Sequence, residues 1–242
     1  MQLKLIDKRE EAKDTMSFWF EAEKNISWIP GQYFYFTIPS PKYPDTRGNT
    51  HHFTIATSPT EGNTIMAATR MRDKSNYKKS LGHLKKGDTI EGEGPEGTFV
   101  LDEKEKGPHI LIAGGIGITP FRSMIKYSID KGLSDKLHLL YANSTPREIT
   151  FKDELETWAK ENEHVSVDFT VSKPNKSWKG LSGRIDKEMI KKSVGNCGLK
   201  IKNCFFWVCG PPVFIAAMEK ELGKLKITSD KIRSEKFSGY SN

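Results

Sequence analysis

The first stretch of the sequence that could carry chemistry is a glycine-rich turn, in which Gly114, Gly115 and Gly117 are followed by Thr119 and Pro120. It comes after an apolar run that predicts a buried strand and before a segment with helical periodicity. Glycine allows positive φ and lets a ligand approach bare backbone, while threonine can cap a helix and proline fits its first position. Backbone N–H groups and the helix dipole would then face the phosphates of a nucleotide.

The turn departs from the dinucleotide fingerprint G-x-G-x-x-G, because Pro120 stands where the third glycine would be. The spacing therefore does not indicate a simple Rossmann dehydrogenase. An ordinary tight strand-to-helix turn without a ligand remains the alternative, since such turns recur in α/β proteins.

The three cysteines, Cys197, Cys204 and Cys209, lie in the last quarter of the chain at spacings that match no zinc or iron–sulfur pattern. We therefore expect reduced thiols and no metal site. Cys209 ends an apolar run and precedes Gly210-Pro211-Pro212, a turn that starts a helix with proline in its first turn. Simple burial is the alternative role for this cysteine.

The elements that must position these residues fall into two halves. Up to about Leu101 the chain alternates short β-rich segments with turns, which is typical of an antiparallel barrel or sandwich. The predicted strands are Thr15–Ala22, Gly31–Ile38, His51–Thr57, Ile65–Arg70 and Thr89–Gly92, with one short helix over Ser75–Leu84. Beyond the charged segment 102–108 strands alternate with helices, which predicts a parallel sheet covered on both faces.

The second half contains predicted strands at His109–Ala113, Lys136–Ala142, Val165–Val171 and Cys204–Cys209, and helices near Pro120–Lys131, Phe151–Glu161, Asp186–Lys192 and Val213–Leu222. Thr150 and Asp153 have the spacing of a capping box, with Asp in place of the usual Glu. We place the domain boundary after residue 104, which gives domains 1–104 and 105–242.

Composition supports a globular protein with two domains. Of 242 residues, 36% are hydrophobic and 29% charged, and neither a signal peptide nor an apolar run of membrane-spanning length is visible, so we expect a soluble, cytoplasmic protein. Residues 1–104 hold fifteen Lys/Arg and fifteen Asp/Glu, whereas residues 105–242 hold twenty-three and sixteen. This excess favours anionic ligands or an acidic partner protein, and nucleic acid is not expected because no dense basic run occurs.

Six motifs that occur in a fixed order give the chain its resemblance to a known family. They are Gly31-Gln32-Tyr33, His51 to Pro59, Gly94 to Phe99, the glycine turn with Thr119-Pro120, Cys209 to Pro212 and Glu235-Lys236-Phe237. Together they resemble the ferredoxin-NADP reductase superfamily over nearly the whole chain. The resemblance implies an N-terminal antiparallel β-barrel that binds a flavin, FAD rather than FMN, and a C-terminal parallel sheet that binds NADPH or NADH.

In the flavin motif of the family, Arg-x-Tyr-Ser/Thr, Phe53 takes the aromatic position and Thr54 the hydroxyl position. His51 stands where the arginine would be, and a neutral imidazole offers one donor in place of a charged fork. Strand alternation alone requires that one of His51 and His52 face the core and the other solvent. The remaining flavin-binding candidates are Arg70, with Arg47 and Arg72 as other sources of charge, Ser75, which follows Lys74 where the family has glycine, and the C-terminal aromatics Phe237 and Tyr240.

On the nucleotide side, the resemblance assigns the pyrophosphate to the turn, with Gly114, Gly115, Gly117, Thr119 and Pro120. It also places Cys209, Gly210 and Pro211 beside the nicotinamide. Hydride transfer needs no general base, so Thr54, Cys209 and Glu235 are the catalytic candidates only in positioning and proton management. The strand tip after Ala142, residues 143–147, contains no acidic residue to hold a free ribose diol. Arg147, Lys173, Lys176 and Lys179 could instead meet a 2′-phosphate, which favours NADPH; solvated surface charge is the alternative.

The expected function is a flavoprotein oxidoreductase that takes a hydride from NAD(P)H and gives electrons singly to a ferredoxin, a flavodoxin or an oxygenase. One alternative is the electron-transfer subunit of a larger redox complex. Subunits that carry their own iron–sulfur cluster are excluded, because no cysteine follows Cys209. The other alternative is a nucleotide-binding regulatory module that has lost the flavin.

Overall fold

The computed structural model describes residues 1–71 and 75–237, which form an antiparallel sheet followed by a parallel one. The first sheet contains β1 (Gln2–Ala12), β2 (Thr15–Ala22), β3 (Tyr33–Thr37), β4 (Thr50–Thr54), β5 (Thr64–Arg70) and β6 (Thr89–Glu96), with α1 (Asn76–His83) between the last two. The second contains β7 (His109–Gly114), β8 (Leu137–Asn143), β9 (Val165–Val171), β10 (Leu181–Ser182), β11 (Phe205–Gly210) and β12 (Ile232–Lys236). Its helices are α2 (Thr119–Asp130), α3 (Lys152–Glu161), α4 (Lys187–Asn196) and α5 (Pro212–Lys224).

The first sheet has the strand order β4-β3-β6-β1-β2-β5, with every pair antiparallel. Alternate side chains enter its core, where Phe18, Phe20, Phe34 and Phe36 are fully buried, as the period of two requires. Beyond β4, the backbone N–H of Ala56 donates to the carbonyl of Met66 in β5 at 2.8 Å, which links the two edges of the sheet. The antiparallel N-terminal fold predicted from the sequence is confirmed.

The second sheet is parallel throughout, in the order β10-β9-β8-β7-β11-β12. Adjacent residues of β7 enter two different cores, since Ile110 packs on the side of α4 and α5 and Leu111 on the side of α2 and α3. All six residues of β7 are buried, because both faces of the strand are covered. The predicted alternation is confirmed, while β1, β10 and β12 lay outside the predicted strands.

Two predicted helix caps are wrong. A 3₁₀ turn over Gly115–Ile118 leads directly into α2, so Ile118 is the N-cap, and the Thr119 hydroxyl donates instead to the carbonyl of Ile116 at 3.2 Å. Helix α3 has Phe151 as its N-cap, at φ +60°, and no side-chain capping bond forms there. The sharp left-handed turn at Phe151 removes Thr150 from the capping position that its spacing with Asp153 predicts.

A buried arginine of α2 joins the two sheets. Arg122 is 2% exposed, and its guanidinium donates to Glu61 at 2.8 and 3.0 Å, to Glu154 at 2.6 and 2.8 Å and to the carbonyl of Ala56 at 2.8 Å. Glu61 and Ala56 belong to the first half of the chain and Glu154 to α3. Beside it, the Ser123 hydroxyl donates to the carbonyl of Thr57 at 2.7 Å. These bonds fix how the carboxyl ends of the parallel strands face the barrel.

Candidate active site

The glycine turn lies at the carboxyl end of β7, where it meets the end of β5. A Cβ added to Gly115 would lie 2.9 Å from Arg70 Nη2. The same nitrogen is 3.4 Å from Asn143 Oδ1, and Arg70 Nη1 is 3.6 Å from Glu148 Oε2. Arg70 therefore extends from the barrel over the glycine turn of the second half of the chain, and we call the region where Arg70 meets Gly115, Asn143 and Glu148 the cleft.

The three glycines of the turn serve different physical needs. Only Gly115 has a positive φ, of +56°, so the expectation of conformational freedom at all three positions is wrong. A Cβ at Gly114 would lie 2.7 Å from the Phe214 ring, and one at Gly117 would lie 2.3 Å from the carbonyl oxygen of Cys209. Gly114 and Gly117 are thus required for close packing against α5 and β11, and the missing side chain of Gly115 makes room for the Arg70 guanidinium.

Cys209 lies next to this turn, paired with Ala113 across β11 and β7, and it is completely buried. Burial, and then the charge of Glu235, raise the pKa of its thiol well above the ordinary value. The thiol is therefore protonated and does not act as a nucleophile. Pro211 precedes α5 with φ −61° and is its N-cap residue, and Pro212 begins the helix, as the sequence predicts.

Glu235 pairs with Cys209 across β12 and β11. Its Oε2 atom is buried and has no hydrogen-bond partner among residues 1–71 and 75–237. Desolvation raises the pKa of this carboxyl to about 7, so at neutral pH both its protonated and its charged form are populated. Phe237 follows, with its N–H bonded to the carbonyl of Gly210 at 3.0 Å and its ring packed on the core beneath the turn. Tyr240 lies outside the described residues.

The predicted flavin motif is at the end of β4. Thr54 is buried, and the half-buried Phe53 ring lies 6.1 Å from the Tyr77 ring of α1 in a stacked arrangement. His51 packs 4.1 Å from Tyr77, whereas His52 is exposed beside Tyr33, as strand alternation requires. Burial lowers the pKa of His51, although Asp45 opposes the shift, and this favours the neutral imidazole at pH 7.

Asp45 holds the N-terminus of α1, an interaction that sequence reasoning missed. Ser75 is the N-cap and accepts from the N–H of Lys78 at 3.2 Å, while the N–H of Tyr77 donates to Asp45 Oδ2 at 3.1 Å. Although burial opposes it, the N–H of Tyr77 and the side chain and N–H of Arg47, whose Nε is 3.3 Å away, lower the pKa of Asp45 to about 2. The α1 N-terminus is thus an anion-binding position. Asp45 is thirty residues away in sequence, so no local spacing reveals it.

Of the cations predicted to lie beside the ribose, the structure places only some at one cavity. Arg147 lies in a 3₁₀ turn after β8 and lines a cavity of about 400 Å³ with Lys152, Trp178 and Lys179. Lys173 and Lys176 are exposed and do not line it. Trp178, whose indole N–H donates to the carbonyl of Leu181 at 2.8 Å, and Lys152 were not predicted. Because parallel strands end at the same side of a sheet, the segments that follow β8 and β9 lie together. This rule, applied to the two predicted strands, could have indicated the region.

Two family models cover most of the chain. An oxidoreductase FAD-binding domain matches residues 2–101 and an oxidoreductase NAD-binding domain matches residues 111–220. The gamma subunit of sulfhydrogenase 2 from Pyrococcus furiosus is 30% identical over 210 residues, which are 84% of this chain and 69% of the relative. The chain belongs to the ferredoxin-NADP reductase superfamily.

Other superfamily relatives agree in sequence and in fold. NADH-cytochrome b5 reductase 1 from Cryptococcus neoformans is 36% identical over 160 residues, 63% of this chain and 54% of that protein. The FAD/NAD-binding domain of a nitric oxide dioxygenase from Vibrio cholerae shares the fold with a TM-score of 0.85 at 20% identity, covering 98% of both chains. The chain spans between 51% and 58% of several curated relatives that it matches.

Several described residues fit a bound FAD, the cofactor of the domain model that matches residues 2–101. Phe53 presents a half-buried ring, the α1 N-terminus already holds the carboxylate of Asp45, and the buried Oε2 of Glu235 is without a partner in the described chain. Asn143 Nδ2 at the end of β8 is likewise buried and unbonded within that part. Buried polar atoms normally have partners, so these two are available to a bound molecule.

No helix in the described residues is long and apolar enough to cross a membrane.

Proposed function

We propose that this protein binds FAD in the cleft, accepts a hydride from NADPH and passes electrons one at a time to a partner redox protein. The observation that supports this most is the position of Arg70 over Gly115. Because a barrel side chain overlies the glycine turn, a nucleotide that lies on the turn contacts both domains. When bound, the flavin supplies the conversion of a two-electron hydride donor into a one-electron donor.

Glu235, Cys209 and Thr54 position the reactants and manage a proton. Glu235 Oε2, with a carboxyl pKa raised to about 7 by desolvation, can hold or release a proton at neutral pH. The protonated, buried Cys209 gives the nicotinamide pocket a compact wall without reacting. Thr54 offers a buried hydroxyl at the end of β4. None of these groups forms a covalent bond in the reaction that we propose.

The charge for the cofactor phosphates comes from arginine and from backbone N–H groups. His51 stays within the proposed flavin site, but as a neutral donor, because burial lowers its pKa. Arg47 lies near the α1 N-terminus through its pair with Asp45. Arg70, a flavin-binding candidate in the sequence, we assign instead to the pyrophosphate of NADPH, because it overlies Gly115 and its ion pair with Glu148, at 3.6 Å, is long.

NADPH is the proposed reductant because the cavity beside β8 and β9 contains Arg147, Lys152 and Lys179, with Glu156 as its acidic lining residue. Glu156 pairs with Lys152 at 2.7 Å, which leaves Arg147 and Lys179 to meet a 2′-phosphate. The competing choice is NADH, the donor in the name of the Cryptococcus relative. A kcat/KM for NADPH that exceeds the value for NADH supports the proposal, and the reverse order refutes it.

The variant Lys179→Ser tests the cavity directly. Losing one charged contact to a phosphate is expected to reduce kcat/KM for NADPH by about tenfold and to leave the value for NADH unchanged. Lys176→Ser is the matched control, because Lys176 belongs to the same loop but does not line the cavity. Equal losses in the two variants would show that general surface charge, not the cavity, attracts the nucleotide.

A second candidate function is an electron-transfer subunit of a larger complex. The relative from Pyrococcus furiosus is a gamma subunit, which favours this possibility. Co-purification with another polypeptide from the native source distinguishes it from a self-sufficient reductase. A third candidate, a regulatory module without flavin, predicts bound NADPH and no reduction of an artificial acceptor.

The decisive experiment is an absorption spectrum of the purified protein, with thermal release and identification of the flavin. We expect a yellow protein that releases FAD, is bleached by NADPH without oxygen and reduces ferricyanide. A colourless protein that also fails to bind added FAD would contradict the proposed function. Release of FMN would contradict only the cofactor assignment.

A further inference from the structure

A cluster of nucleophilic and titratable side chains lies at the amino ends of the parallel strands, opposite the carboxyl ends that face the cleft. His138 and Ser166 face each other at the amino ends of β8 and β9, and Ser193 and Cys197 approach them from α4 and its C-cap. His138 and Asn143 are five residues apart on β8, which places the cluster about 16 Å from the cleft. The function proposed above uses none of these residues.

Hydrogen bonding fixes the proton positions in the cluster. Ser193 Oγ donates to Asp168 Oδ2 at 2.6 Å, because a carboxylate can only accept. The hydroxyl has one hydrogen, so Ser193 accepts from His138 Nε2 at 2.6 Å. Burial lowers the pKa of His138, so the ring is neutral and its Nδ1 is an acceptor. Nδ1 lies 3.2 Å from Cys197 Sγ and 2.8 Å from Ser166 Oγ.

We propose that Cys197 is a reactive thiol that hydroperoxides oxidise to a sulfenic acid, with His138 as its base. His138 takes the thiol proton. Burial opposes the charge that the ring gains, and the carboxylate of Asp168, linked to the ring through Ser193, favours it. Ser166 Oγ, 3.4 Å from the sulfur, can donate to the thiolate. Cys197 is half-buried, whereas Cys204 and Cys209 are 0% exposed, so Cys197 is the most accessible to solvent of the three cysteines.

The oxidation balances with the groups present and one peroxide. The Cys197 sulfur attacks one oxygen of the hydroperoxide, so that an S–O bond forms while the O–O bond breaks. Sulfur loses two electrons, and the peroxide gains them. The proton held by His138 goes to the departing hydroxide or alkoxide, which leaves as water or alcohol.

Cys204 does not convert the product to a disulfide. It is fully buried, and burial raises the pKa of its thiol to about 11, so it is protonated at neutral pH and is a poor nucleophile. The sulfenic acid of Cys197 therefore persists until a soluble thiol reduces it.

The test uses the full chain, first reduced and then exposed to hydrogen peroxide at pH 7 with dimedone, which traps sulfenic acids. Peptide mass spectrometry is expected to find the adduct on Cys197 and not on Cys204 or Cys209. Iodoacetamide under native conditions is expected to alkylate Cys197 at least about tenfold faster than the other two. Both readouts are independent of flavin and nicotinamide nucleotide.

Three variants test the base. His138→Gln is expected to slow alkylation and oxidation of Cys197 by about tenfold or more. Ser193→Ala, which keeps the imidazole but breaks its link to Asp168, is expected to slow both several-fold and decides the matter if His138→Gln does not fold. Cys204→Ser is the control and should leave the rates unchanged. Reaction of Cys197 no faster than Cys204, or a wild-type rate in Ser193→Ala and in any folded His138→Gln protein, would overturn the proposal.

Discussion

Replacement of Arg122 by methionine tests how much one buried cation contributes to holding the two domains together. The methionine has a similar length and apolar stem but removes five hydrogen bonds, two to Glu61, two to Glu154 and one to the carbonyl of Ala56. Although burial opposes the charge of the guanidinium, these two glutamates raise the pKa of Arg122, so it is always charged in the folded protein.

The magnitude follows from what the variant leaves behind. The Glu61 and Glu154 side chains are only 18% and 33% exposed, so both carboxylates would be partly buried near each other without their cation. Removing one partner of a buried ion pair costs about 3–5 kcal/mol. A chain of this size loses about 2–4 °C in Tm for each kcal/mol, so the Tm should fall by about 6–20 °C.

Thermal unfolding followed by circular dichroism measures the effect. Lys126→Met is the matched control, because Lys126 is on the same helix and pairs with Asp130 at 2.5 Å on a more exposed face. Such pairs contribute about 0–1 kcal/mol. The triple variant with Glu61→Gln and Glu154→Gln should recover part of the loss. If Arg122→Met lowers the Tm no more than Lys126→Met does, the buried cation is not what joins the domains.

Three further predictions concern the cleft. The pKa of Glu235 is raised in the folded state, so folding disfavours its charged form. Glu235→Gln should therefore raise the Tm relative to wild type at pH 8 but not at pH 4.5, and equal shifts of the Tm at the two pH values would contradict this. Gly117→Ala should lower the Tm and weaken NADPH binding, because the new Cβ would meet the backbone of Cys209. Gly223→Ala, where a Cβ has open space, should do neither. Melting curves and NADPH titrations of the two variants measure both effects. Asp45→Asn should lower the Kd for FAD by about two- to fivefold, because a negative charge leaves the α1 N-terminus. Quenching of the flavin fluorescence measures this Kd, and weaker FAD binding would count against the α1 N-terminus as a site for the FAD phosphates.

Local pattern was sufficient for most of the architecture. Alternating residues such as Phe18 and Phe20 predicted antiparallel strands, and the fully apolar run before Gly114 predicted a strand buried on both faces. Periods of two and of 3.6 are properties of neighbouring residues, so they are readable without the fold. β12 was missed because its sequence, Ile232–Lys236, is mostly polar, and only its pairing with β11 makes it a strand.

The sequence by itself determined the types and order of the site residues, including the turn at Gly115, Cys209 with its following prolines, and the Phe53-Thr54 pair. Only the tertiary structure decided which charges they meet. Arg70 and Gly115 come from different domains, and Glu235 meets Cys209 through strand pairing. Desolvation and electrostatic contact depend on distances between segments far apart in the chain, which spacing along the sequence does not encode.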